Sequence, residues 1–117
     1  MKKIFFGSFL LISMLSPLIV SAKTVEQIIY QYAELIDTRK FDELQTIMWE
    51  DFKMTGGYEI NGLSGFLGAM QQLASTYDST MHFIGNIDGN WSNNVYKGKT
   101  YCVAVSYTHL RAHETSL

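Results

Sequence analysis

The sequence predicts an α+β domain, with helices in the first half packed on one face of a curved antiparallel sheet built from the second half. Three observations point that way. Apolar residues recur at helical spacing in three successive stretches before residue 78, glycine and asparagine turn signals separate the later ones, and the runs from residue 80 onward are rich in Thr, Tyr and Val.

The chain opens with the parts of a signal peptide in order. Lys2 and Lys3 form a positive start, residues 4–20 are uncharged and dominated by Phe, Leu and Ile, and Val20-Ser21-Ala22 offers a cleavage site. A membrane anchor is the alternative, but a seventeen-residue run interrupted by Gly7 and Pro17 is short for a hydrocarbon core of ~30 Å. Residues 1–22 are therefore expected to be cleaved. That leaves a periplasmic or secreted protein that starts at Lys23 and keeps no stable membrane anchor. Without Lys2 and Lys3, seven basic residues face eleven acidic ones, a net charge of −4. That balance, with no run of Lys or Arg along a helix face, argues against a nucleic-acid partner. The only cysteine is Cys102, so no disulfide forms within the chain. Its neighbours Val103 and Ala104 lead to the expectation of a buried thiol packing as a small hydrophobe, although a lone exported cysteine can also be reactive.

Thr24-Val-Glu-Gln27 fits a capping box, and Val25, Ile28, Ile29, Tyr32, Leu35 and Ile36 follow as one apolar stripe. Asp37-Thr-Arg-Lys40 is a tight polar link to a second, shorter stripe in Phe41, Leu44, Ile47 and Met48, as in an antiparallel helix pair. Gly56-Gly57 and Asn61-Gly62 flank Tyr58-Glu-Ile60, a short hairpin or extended loop. Leu63, Phe66, Leu67, Met70, Leu73 and Tyr77 make the third helical stripe. Strands are expected over 80–87 and 97–105, with a turn at Asp88-Gly-Asn90.

Residues 106–117 (SYTHLRAHETSL) resemble the translated sequencing-adapter tail found at the ends of metagenome-derived gene predictions. On that reading the native domain covers 23–105 without its final strands, and the tail packs poorly beyond Ser106 and Tyr107. His109 and His113 stand four apart but lack further ligands, so no metal site is assigned.

The order of Ile28-Ile-Tyr-Gln-Tyr-Ala-Glu-Leu-Ile-Asp37, Phe41-Asp-Glu-Leu44, Trp49-Glu-Asp-Phe52, Gly62 and Thr80-Met-His-Phe-Ile-Gly-Asn86 resembles SnoaL-like domains of the nuclear transport factor 2-like superfamily. The resemblance spans about residues 25–105 and implies a small cone-like fold around an apolar cavity. Bile-acid and scytalone-type dehydratases of this kind place a Tyr and an Asp on the first helix and a His on the strand after the third. Those positions fall on Tyr32, Asp37 and His82. The implied activity is a cofactor-independent dehydratase or isomerase acting on a small hydrophobic molecule. His82 would be the base, Asp37 its orienting carboxylate and Tyr32 the donor to a carbonyl oxygen. Trp49, Phe52, Met54, Phe66 and Met70 would line the cavity, and a homodimer is compatible with the resemblance.

Each assignment has a plainer counterpart. Tyr32 lies on the apolar stripe and suits a core position with its hydroxyl at the rim. Asp37 is about 140° round the helix from Tyr32 and sits at a helix C-terminus, where the macrodipole disfavours an anion that Arg39 and Lys40 could neutralise. His82 shares a strand face with Thr80 and Ile84 and could be structural. The aromatic and Met set could be plain core. A non-catalytic small-molecule-binding domain is thus the alternative function, needing only the cavity.

Overall fold

The computed structural model describes residues 22–108. The expected cleavage signal, apart from Ala22, and His109 and His113 lie outside them. Helix α1 spans Val25–Asp37. Its N-terminus carries the anticipated capping box: Gln27 N–H donates to Thr24 Oγ1 at 3.2 Å, and Thr24 N–H donates to Gln27 Oε1 at 2.9 Å. Two otherwise orphaned donors are satisfied there by local side chains. The second stripe forms a 3-10 helix, Phe41–Thr46, which suits so short a segment. It seats Leu44, whose accessible surface is 0%.

Strands β1 (Lys53–Thr55) and β2 (Glu59–Asn61) pair antiparallel around Gly56, Gly57 and Tyr58. Gly62 then opens helix α2, Gly62–Thr76, with φ +79°. Its N–H reaches Phe52 O at 2.7 Å, while the next N–H, from Leu63, reaches Glu50 O at 3.0 Å. A side chain at 62 would need a conformation that L-residues rarely adopt.

Strands β3 (Ser79–Ser92) and β4 (Val95–Tyr107) form the second hairpin. The expected turn at Asp88-Gly-Asn90 is instead continuous strand, with Gly89 opposite Gly98. The reversal lies at Asn93 and Asn94, with φ of 48° and 62°, which is the two-residue geometry matching strand twist. Tyr96 lies against the glycine pair, so that a Cβ at Gly89 would sit 2.6 Å from its ring. The glycines therefore make room for an aromatic ring instead of ending the strand. β4 also runs through Ser106 and Tyr107, which pair with Thr80 and Ser79.

A bulge at Gly85 and Asn86 breaks the register between Ile84 and Ile87. Without it, strict alternation would send Ile87 to the opposite face from Ile84. With it, Thr80, His82, Ile84 and Ile87 share the face toward α1, the helix that packs most against β3. The described residues thus hold three helices and antiparallel strands, arranged as two separate two-stranded sheets. The core is Leu35, Ile36, Leu44, Leu63, Phe66 and Met70, at the junction of the helices.

Candidate functional site

The C-terminus of α1 delivers Asp37 to β3. Arg39 N–H donates to Ile36 O at 3.2 Å and Lys40 N–H to Leu35 O at 2.9 Å, which closes the helix as a Schellman motif. The left-handed residue of that motif is Arg39, φ +62°, where glycine is usual. Its guanidinium crosses to β3, with Nη2 donating to Tyr77 O at 3.2 Å and Nη1 to Thr80 Oγ1 at 3.4 Å. Arg39 and Lys40, the cations expected to neutralise Asp37, form no ion pair with it: among the described residues the ion-pair partner of Asp37 is His82.

Asp37 accepts three hydrogen bonds. Oδ2 takes the backbone N–H of His82 at 2.7 Å, while Oδ1 takes the Thr80 hydroxyl at 3.0 Å and lies 2.7 Å from His82 Nδ1. Partial burial works against the charge on Asp37. The His82 side chain, its backbone N–H and Thr80 outweigh burial, and the carboxyl titrates below its ordinary value. An ionised carboxylate only accepts, so Nδ1 carries the proton and Nε2 keeps its lone pair while the ring is neutral.

Tyr32 stands edge-on to His82, ring centroids 6.3 Å apart at 76°, and 6.2 Å from Phe66. Burial pushes its phenol up, with Cys102, Tyr58 and Asp37 adding to the shift, so the hydroxyl remains a donor at neutral pH. Tyr32 and Asp37 lie on different sides of the helix axis, yet both meet His82, because β3 passes the helix end. Tyr32 also lines an apolar groove of about 350 Å³ with Ile28, Ile29, Ile84, Thr100 and Cys102. A more open depression of about 570 Å³ is walled largely by polar and charged residues of α1 and the following segment and contains none of the three.

The five residues proposed to line a cavity lie elsewhere. Phe66 and Met70 belong to the core, Phe52 and Met54 pack against it, and Phe52 meets Phe66 at 5.1 Å. Trp49 is 83% exposed. The groove residues Ile28 and Ile29 were visible as part of the apolar stripe, but which apolar residues face a void depends on where α1 rests. Cys102 corrects an expectation: its thiol is exposed. Neighbours along a strand point to the other face or stay on an edge, and β3 rather than β4 takes the main contact with α1. Among the described residues no group of three or more His, Cys, Asp or Glu could hold a metal ion.

Comparison with known proteins adds the family. Residues 21–116 match the SnoaL-like domain. The chain belongs to the SnoaL-like domain family, within the nuclear transport factor 2-like superfamily. The structure of this SnoaL-like domain is similar to the crystal structure of a candidate scytalone dehydratase from Novosphingobium aromaticivorans. The TM-score is 0.65 at 15% identity, covering 73% of this chain and 59% of that one. At that identity the likeness bears on fold alone. Among curated proteins none matches this chain.

Proposed function

We propose that this SnoaL-like domain is exported, takes a small hydrophobic molecule into the groove beside Tyr32, and acts on it as a cofactor-independent dehydratase or isomerase. The observation that carries this reading is the His82–Asp37 pair at 2.7 Å with Tyr32 edge-on to the same ring. In the dehydration, His82 Nε2 takes a proton from the carbon beside a carbonyl, and Tyr32 donates to the oxygen as it gains enolate character. The electron pair of that C–H bond forms the new C=C bond as the β C–O bond breaks. The imidazolium returns its proton to the departing hydroxide, giving water. Isomerisation uses the same proton removal and returns the proton at another carbon. Asp37 holds the imidazole in the required tautomer and balances its charge.

The test uses a panel of hydrophobic β-hydroxyketones, following conjugated enone by its ultraviolet absorbance, alongside binding of an apolar fluorophore. His82→Ala should lower kcat by about 10²- to 10⁴-fold, the range of general acid–base catalysis, while fluorophore affinity stays unchanged. The second reading, a non-catalytic binder, rests on the apolar groove alone. Fluorophore binding with no turnover across the panel would favour it and sink the enzyme.

A further inference from the structure

We infer that Arg39 is a positioning residue for this site, acting through Thr80 to lock Asp37 onto His82 in a single imidazole tautomer. The inference rests on the proposed function for its meaning, but its test does not require turnover.

Two independent observations converge on Arg39. The first is backbone geometry. Arg39 occupies the left-handed position of the α1 terminus, which an L-residue with a long side chain adopts only at a cost and which glycine fills freely. The second is what its side chain reaches. The planar fork spans two acceptors at the start of β3, Tyr77 O and Thr80 Oγ1. Because the left-handed turn directs the chain back beside the helix end, one residue ties the carboxylate-bearing end of α1 to the histidine-bearing strand.

The direction of the hydrogen bonds follows from the donor inventory. A guanidinium only donates, so Thr80 Oγ1 accepts from Arg39 and its own proton is free for Asp37 Oδ1. The same oxygen faces His82 Nδ1, and Oδ2 holds the His82 backbone N–H. Thr80 is 8% exposed, the only buried polar residue among the described residues, so water competes poorly for its hydroxyl. The chain therefore runs one way, from Arg39 to Thr80 to Asp37, with His82 donating into the same carboxylate. The groups facing His82 are Asp37 and Tyr32 from α1 and Ala104 across the hairpin, with Cys102 two residues along β4, while the Arg39 guanidinium reaches Thr80 and Tyr77.

The experiment follows ring ¹⁵N signals of His82 and the carboxyl ¹³C signal of Asp37 against pH in the full chain. The unsubstituted protein should show separate Nδ1 and Nε2 signals of one tautomer. Arg39→Gly relieves the backbone and removes the fork. It should draw those two signals together and raise the Asp37 midpoint without lowering Tm. Arg39→Lys should behave like Arg39→Gly, since an ammonium cannot present the fork to both acceptors. Thr80→Val should reproduce both changes, and Thr80→Ser should restore the original signals. If a turnover substrate is in hand, Arg39→Gly should lower kcat on the order of tenfold or more with KM unchanged. Unchanged His82 and Asp37 signals in Arg39→Gly, or full restoration by Arg39→Lys, would overturn the inference. Should Arg39→Gly not fold, Arg39→Lys decides on the same signals. Loss of turnover by the whole panel with the signals behaving as expected would remove the proposed chemistry and leave the positioning intact.

Discussion

At Asp37 two opposing effects meet: partial burial disfavours its charge, and three donors favour it. The donors prevail, so the folded carboxyl binds its proton at lower pH than the unfolded one. Its contribution to stability is therefore fully present above the unfolded value of about 3.9 and is lost as pH falls through the lower folded value. Urea titrations of the natural chain and Asp37→Asn at several pH values should show the natural chain ahead near pH 6 and the two converging well below pH 4. A gap that stays constant down to pH 2 would mean that the carboxylate charge is not what holds the helix end to β3. The identity of the residues at this site was legible through the resemblance. Their meeting was implied by the same resemblance but not by residue spacing, because a helical wheel sets Tyr32 and Asp37 about 140° apart and says nothing about a strand crossing the helix end. Arg39 was visible only as a nearby positive charge. Its left-handed backbone and its reach to Thr80 depend on how α1 terminates.

Helices in this chain were easier to read than strands, and the β3–β4 hairpin illustrates why. The three apolar stripes each became a helix, since a 3.6-residue period is a local property. Asp88-Gly-Asn90 has the composition of a turn, but Gly89 and Gly98 face each other beneath Tyr96, and the reversal falls to Asn93-Asn94. Composition alone cannot separate a glycine that bends the chain from one that admits a ring. Substitution does. A Cβ at Gly89 would sit 2.5 Å from Lys97 O and 2.6 Å from the Tyr96 ring, so Gly89→Ala should destabilise by about 1–3 kcal/mol through overpacking. Gly68, inside α2, has nothing within 4 Å of such a Cβ. Gly68→Ala should stabilise by about 1 kcal/mol through helix propensity alone. Paired thermal melts check both, and equal effects of the same sign would contradict the register described for the hairpin.

Across the whole molecule, the core and the groove divide the apolar residues between them. Leu35, Ile36, Leu44, Leu63, Phe66 and Met70 close the helical junction, whereas Ile28, Ile29 and Ile84 face the groove beside Tyr32. Filling the groove should stabilise the fold by mass action, so an apolar ligand at a hundred times its Kd should add about 2.7 kcal/mol. A Tm that does not respond to saturating fluorophore would argue that the fluorophore binds the folded and unfolded chains equally. Export also belongs to this scale. Expression in a secreting bacterial host should yield a mature chain whose N-terminus, by intact mass, is Lys23. Retention of residues 1–22 in a membrane fraction would support the anchor instead.

The sequence by itself determined what is local: the capping box at Thr24, the three apolar stripes and the α+β order. Each depends on residues a few positions apart, where side-chain spacing and hydrogen-bonding capacity act directly on the backbone. Tertiary structure decided the rest. It alone placed the bulge that keeps Ile84 and Ile87 on one face, left Cys102 exposed, sent Phe66 and Met70 into the core, and joined Arg39, Thr80, Asp37 and His82 into one network. The network links residues some forty positions apart, at the end of α1 and on β3. Such outcomes follow from which faces two elements present when they dock, and no local pattern carries that information.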